Sequence, residues 1–154
     1  MNRTDNTAGK RTALFAGSFD PFTIGHKSIV DRGLQIFDEV VIGIGVNMDK
    51  RGWLTPTQRM EAIERVYAGN PHVRVISYTG LTVQAAAEAG ARFLLRGVRT
   101  AQDFEYERQL ADVNRNLSGL ESVLIYALPE LAAISSSMVR ELNHYGVDIT
   151  PYLP

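Results

Sequence analysis

Three clusters in this 154-residue chain combine residue types and spacing suited to holding anions. The first is Gly17-Ser18-Phe19-Asp20-Pro21, followed by Thr23-Ile24-Gly25-His26. An apolar run, Ala13 to Ala16, stops at Gly17, and a helical pattern begins near Gly25. Strand, glycine turn and helix start leave backbone N–H groups where a phosphate can sit, and His26 adds a side-chain donor. The second cluster is Arg96-Gly97-Val98-Arg99, directly after the apolar Phe93-Leu94-Leu95. Arginine forks grip phosphate oxygens in pairs, and glycine lets the backbone come close. The third is Ile134-Ser135-Ser136-Ser137, where hydroxyls join the unpaired N–H groups of a helix start. Lys50 adds a cation in the loop after the second apolar run. Singly, each has a plainer reading: turn formers, solvated arginines, an N-cap with spare serines, a solvated loop lysine. Together they supply cations and N–H donors rather than a base with an orienting partner. They describe a nucleotide site.

The elements that must position these groups follow from the apolar pattern. Strands are read at Ala13 to Ala16, Glu39 to Ile44, Val73 to Tyr78, Phe93 to Leu95 and Ser122 to Tyr126. Helical spacing runs from Gly25 to Phe37 through Ile29, Val30, Gly33, Leu34 and Phe37. Thr55-Pro56-Thr57-Gln58 fits a capping box with proline at the first helical position, leading a helix with Met60, Ile63, Val66 and Tyr67 on one face. An alanine-rich helix spans Leu81 to Ala89. Another spans Thr100 to Arg115, with Phe104, Leu110, Ala111 and Asn114 at the core period. The serine run starts a helix to about Leu142, and the tail from Ile149 to Pro154 does not sustain one.

Alternating strands and helices predict an α/β fold: a single-domain, Rossmann-like open parallel five-stranded sheet with helices on both faces. Residues 1–10 read as a flexible polar tail and 11–154 as the domain. In such sheets ligands bind beyond the carboxyl ends of the strands. Ser18, Lys50, Leu81 and Thr82, Arg96 to Arg99, and the serine run each follow a different strand. Their convergence on one edge argues more strongly than any single motif.

Composition narrows the function classes. A net charge of −1 gives no electrostatic footprint for nucleic acid or an acidic membrane, so any anion site is local. No cysteine means no disulfide, thiol nucleophile or cysteine zinc site. The first ten residues lack the apolar segment of a signal peptide, and no apolar run approaches membrane-spanning length, so a cytoplasmic setting is expected. Asp20, Asp103 and Glu107 do not form a metal-ligand pattern. Asp103 and Glu107 share one helix face, and without further context they also read as an acidic face partnered by Arg99 or Arg108. Trp53 packs the Lys50 loop or covers a ligand.

The motif Gly-Ser-Phe-Asp-Pro with Thr-x-Gly-His resembles the first signature of the nucleotidyltransferase superfamily, which includes the class I tRNA synthetases. Thr23, where most members carry histidine, and the run from Arg96 through Asp103-Phe104-Glu105-Tyr106-Glu107 resemble the phosphopantetheine adenylyltransferases. Ile134 to Arg140 resembles the second superfamily signature, and the likeness extends from about Arg11 to Pro154. Thr82, often apolar in relatives, and Leu131, often aromatic, depart from the family pattern.

The resemblance implies transfer of the adenylyl group of ATP to 4′-phosphopantetheine, giving dephospho-coenzyme A and pyrophosphate. It implies catalytic roles for Ser18, His26, Lys50 and Arg99. ATP would lie on Ser18, Phe19, His26, Gly97, Val98, Arg99, Glu107, Leu131, Ala132, Ala133, Ile134, Ser135, Ser136 and Ser137. The acceptor would lie on Ser18, Lys50, Leu81, Thr82 and Arg96. It further implies Mg²⁺ carried by ATP, coenzyme A and dephospho-coenzyme A as ligands, and a homohexamer. The attacking phosphate is already ionised at neutral pH, so no general base is needed. A related nucleotidyltransferase for nicotinamide mononucleotide or a sugar or glycerol phosphate, and a non-catalytic nucleotide or coenzyme A sensor, are the rival readings.

Overall fold

Five strands lie parallel in the order β3-β2-β1-β4-β5 in the computed structural model, which describes residues 9–154. They are β1 (Thr12–Gly17), β2 (Glu39–Gly45), β3 (Val73–Tyr78), β4 (Phe93–Val98) and β5 (Glu121–Tyr126). The helices are α1 (Ile24–Gly33), α2 (Pro56–Val66), α3 (Thr82–Glu88), α4 (Ala101–Ser118) and α5 (Ser136–His144). Most of the tail expected at residues 1–10 lies outside the described residues, and within it Lys10 pairs with Glu39.

The central strands read as unbroken apolar runs because both faces of the sheet are covered. Alternate side chains divide between two cores. Ala13, Phe15, Val40, Ile42 and Leu95 pack with Ile29 and Val30 of α1 and Ile63 of α2. Leu14, Val41 and Leu94 pack on the other face against Ala85 and Ala86 of α3. The chain starts at β1, moves outward through β2 and β3, then returns to place β4 on the other side of β1. The crevice between β1 and β4 is the switch point, where open parallel sheets hold their ligands.

Three expectations change. The first helix stops at Gly33 rather than Phe37; tight turns through residues 34–36 then lower Phe37 into the core, its N–H bonded to the Gly33 carbonyl at 2.8 Å. Glycine is a poor helix former, and a Cβ at Gly33 would lie 2.6 Å from Leu95, so this position serves close packing on β4 instead. The fourth helix carries its apolar period but not as core. Phe104 is 39% exposed, and the buried residue is Glu107. The tail forms one short 3₁₀ turn, Thr150–Tyr152, which proline at its start permits.

Candidate active site

The first turn of the site is built around a capping box. Thr23, almost fully buried, accepts the His26 N–H on its hydroxyl, and its own N–H donates to His26 Nδ1 at 3.0 Å. A backbone N–H can only donate, so Nδ1 is the unprotonated nitrogen and the neutral ring carries its hydrogen on Nε2. His26 lies stacked on Phe22 and edge-on to Phe19. Burial, then the charges of Arg99 and Arg96, lower its pKa from 6.5 to about 4. At neutral pH it is an uncharged donor.

Phe19 adopts φ 48°, a left-handed conformation costly for an aromatic residue. Its ring turns back among Phe15, Phe22 and His26 and beneath Gly17, where a Cβ would sit 3.0 Å from it. The ring assigned to ATP is thus mostly core, with little surface to offer a ligand.

A cleft of ≈ 380 Å³ opens at the switch point. Ser18, Phe19 and His26 line it with Gly97 and Val98, which pair within the end of β4 rather than following it, with Arg99 just beyond, and with Leu131, Ile134 and all three serines around the start of α5. Its charged side chains are Arg96, Arg99 and Arg140, and no carboxylate lines it. Two helix starts, α1 and α5, also face it, each with first-turn N–H groups that lack intrahelical partners. A chain of net charge −1 therefore concentrates positive potential at one edge of its sheet. Among the described residues, no group of three or more His, Cys, Asp or Glu is placed to hold a metal.

The serines hold the site as well as line it. Ser135 caps α5 by accepting the Met138 N–H, and Ser136 donates to the Pro21 carbonyl at 2.7 Å. Ser137 accepts from Arg140, which also donates to the Asp20 carbonyl at 2.6 Å. Arg140 was not assigned a role from sequence, although it closes the serine run one turn after Ser137. Asp103 accepts the Arg99 N–H and sits 3.5 Å from its guanidinium, anchoring Arg99 at the start of α4.

A second cleft of ≈ 250 Å³ lies on the other face between α3 and α4. Leu81 and Thr82 line it opposite Leu110, Val113, Asn114 and Leu117 of α4. Leu110 and Asn114, read as core positions, instead face this space. Arg96 borders both clefts.

Not every assigned residue comes to these clefts. Glu107 lines neither: its carboxylate is taken up by Arg96, so its place is behind the site. Ala132 and Ala133 fall outside the first cleft's lining. Lys50 stands exposed in the loop after β2 and lines neither cleft. Trp53 belongs to that loop, its N–H donating to Asp20.

Residues 14–142 match the family described as Cytidylyltransferase-like. A phosphopantetheine adenylyltransferase of Phocaeicola vulgatus is 51% identical over 144 residues, spanning 94% of this chain and 95% of its own. That of Porphyromonas gingivalis is 54% identical over 145 residues, spanning 94% and 95%. Among solved structures, a bifunctional NMN adenylyltransferase/ADP ribose pyrophosphatase from Francisella tularensis superposes with a TM-score of 0.69 at 15% identity, over 94% of this chain and 45% of that one. A putative nicotinate-nucleotide adenylyltransferase from Vibrio parahaemolyticus gives 0.62 at 18%, over 94% of each. Both structures share the fold at identities too low to speak for substrate. The sequence matches go further, and on them this chain belongs to the phosphopantetheine adenylyltransferases of the cytidylyltransferase-like family.

Proposed function

We propose that the protein transfers the adenylyl group of ATP to 4′-phosphopantetheine, releasing pyrophosphate and forming dephospho-coenzyme A. The observation that carries this reading is Arg96, one guanidinium in the wall common to two clefts. The arginine-lined cleft suits a triphosphate, and the α3/α4 cleft, with its leucines, Thr82 and Asn114, suits a flexible amide arm with apolar stretches. A phosphate entering along that arm meets Arg96 at the boundary with the nucleotide.

The reaction is direct in-line attack of the acceptor phosphate on the α-phosphorus, with no covalent intermediate. Nothing in the first cleft is arranged as a base-activated nucleophile. Ser136 donates to a carbonyl, Ser135 and Ser137 accept from local donors, and His26 turns its free nitrogen to Thr23. The nucleophile, a phosphate monoester with its second pKa near ~6, needs none. Catalysis then comes from placing two anions in line and stabilising the charge that develops as pyrophosphate leaves. His26 donates through Nε2 at the α-phosphate, Arg99 and the start of α5 with Arg140 hold the polyphosphate, and Arg96 and Ser18 orient the acceptor. Lys50 is assigned to the acceptor phosphate from the family resemblance.

Magnesium enters as MgATP, a part of the substrate, held by phosphates and water; the cleft lining offers it no carboxylate. Dephospho-coenzyme A and coenzyme A fit the same two clefts as ligands. The family resemblance reads as a homohexamer, and exposed Tyr106 on α4, outside both clefts, is in keeping with self-association. The net charge of −1 supports neither nucleic acid nor an anionic membrane as partner, and no helix among the described residues is long and apolar enough to cross one. A cytoplasmic setting accords with these features.

The test is pyrophosphate release from MgATP with a panel of acceptors. Release with 4′-phosphopantetheine alone, and ATP formation from dephospho-coenzyme A and pyrophosphate, is expected. Equal turnover of nicotinamide mononucleotide or glycerol phosphate overturns the acceptor assignment. Tight nucleotide binding with no turnover of any acceptor identifies a sensor.

A further inference from the structure

Arg59 lies on α2 and lines neither cleft, yet its side chain is only 8% exposed and its donors end on the chain segments that flank the chemistry. Its Nη1 donates to the Ser18 carbonyl at 3.2 Å, and its Nε donates to the Leu54 carbonyl at 3.0 Å. The Asp20 carboxylate lies 3.6 Å from the same Nε and accepts the N–H groups of Trp53 and Leu54, both at 2.8 Å. Arg59 and Asp20 thus fasten the glycine turn after β1 to the end of the loop that carries Lys50. Gly52 shows how closely the two are laid together: a Cβ there would fall 2.9 Å from the Asp20 carboxylate and 2.8 Å from the Leu54 carbonyl.

We infer that Arg59 is a positioning residue for the acceptor phosphate, holding Ser18 and the Lys50 loop as one unit through Asp20. The inference rests on the reading of Ser18 and Lys50 as acceptor ligands. Stability alone is a poor reason for this arrangement, because a buried ion pair is often matched or exceeded by apolar residues of similar volume. Apolar packing, however, cannot orient two carbonyls on separate segments at once. A planar guanidinium can, and a lysine ammonium, a point charge on a flexible stem, does so less well. The turn is held from its other side by bonds from Ser136 to the Pro21 carbonyl and from Arg140 to the Asp20 carbonyl. Loss of Arg59 therefore leaves the α5 side of the turn fastened and frees the acceptor side.

The experiment compares Arg59→Met, Arg59→Lys and Asp20→Asn with the wild type. It measures kcat, the KM for each substrate, the Kd for ATP, melting temperature and hydrogen exchange over residues 46–55. Arg59→Met should lower kcat/KM for 4′-phosphopantetheine on the order of tenfold to a hundredfold, since small misplacements near the chemistry cost that much. ATP Kd should stay within about twofold, exchange over 46–55 should rise, and the lysine variant should recover part of the loss. A lower melting temperature with unchanged acceptor kcat/KM overturns the inference and leaves a structural ion pair. If Arg59→Met does not fold, the lysine and asparagine variants carry the comparison, and equal losses for ATP and acceptor overturn it. If the wild type does not turn over 4′-phosphopantetheine, the functional reading fails separately. The positioning claim is then judged by exchange: unchanged exchange over 46–55 in the variants overturns it.

Discussion

Arg96 and Glu107 are joined side-on, Nε to Oε2 at 2.9 Å and Nη2 to Oε1 at 2.7 Å, with a further Arg96 donor on the Ala16 carbonyl. Glu107 is 7% exposed, the one buried residue of α4, while the guanidinium it holds borders both clefts. A carboxylate behind an arginine fixes the direction in which its remaining N–H groups face. Glu107→Gln keeps the shape but removes the charge, and a charged hydrogen bond contributes about 1.5–3 kcal/mol. Acceptor affinity by calorimetry should fall roughly tenfold or more, with ATP affinity changing less. Loss of ATP affinity alone would return Glu107 to the nucleotide.

The two pockets should separate by mutation. Arg96→Ala is expected to weaken acceptor binding chiefly, and Ser136→Ala to weaken ATP binding, its hydroxyl turning from the Pro21 carbonyl to a phosphate oxygen when ATP binds, each by roughly tenfold. Ser136→Ala also frees the Pro21 carbonyl, so a modest drop in melting temperature should accompany it. Titrations giving the reverse pattern would exchange the two clefts.

His26 has two jobs, and two substitutions separate them. It closes the capping box of α1 through Nδ1 and presents Nε2 to the cleft. In α2 the same box is made by Thr55 and Gln58, so glutamine fits this position in a cap. His26→Ala should lose stability of about 1 kcal/mol and on the order of a hundredfold in kcat. His26→Gln should recover the melting temperature while kcat stays depressed, with ATP affinity little altered because the bond strengthens mainly in the transition state. Near-normal kcat in either variant removes His26 from the chemistry.

The same residue sets a pH dependence. Its pKa is lowered from 6.5 to about 4, by burial first and then by Arg99 and Arg96. Between those values the unfolded chain holds a proton that the folded chain does not, so stability rises with pH there. Falling from pH 6.5 to pH 4 should cost on the order of 3 kcal/mol from this group, while above its ordinary value the contribution is complete. Urea unfolding of wild type and His26→Gln at several pH values isolates it from the carboxylates. Parallel pH slopes would show an ordinarily titrating imidazole.

Sequence alone determined what depends on neighbours along the chain. Five apolar runs, the Thr55–Gln58 capping box and glycine turns are local patterns, and they placed the strands, the helix starts and the edge where the polar motifs meet. That edge follows from topology once the strands are parallel, so Ser18, His26, Arg99 and the serine run were legible as one site. The tertiary structure decided which groups face a ligand and which face one another. Glu107 looked like part of an acidic face because its partner Arg96 lies on another element. Arg59 gave no signal and Asp20 none for its bonding role, because the bonds from Arg59 to Ser18 and from Trp53 to Asp20 join segments more than thirty residues apart. Leu110 and Asn114 fit a core period, but periodicity says which side of a helix is apolar, not whether packed core or an open cleft lies beneath it. Lys50 carried the right charge, yet the end of its loop is set by the bonds of Trp53 and Leu54 to Asp20, which no local pattern shows. Pairing across the fold costs or gains free energy only once the sheet exists, which is why it leaves no periodic trace in the chain.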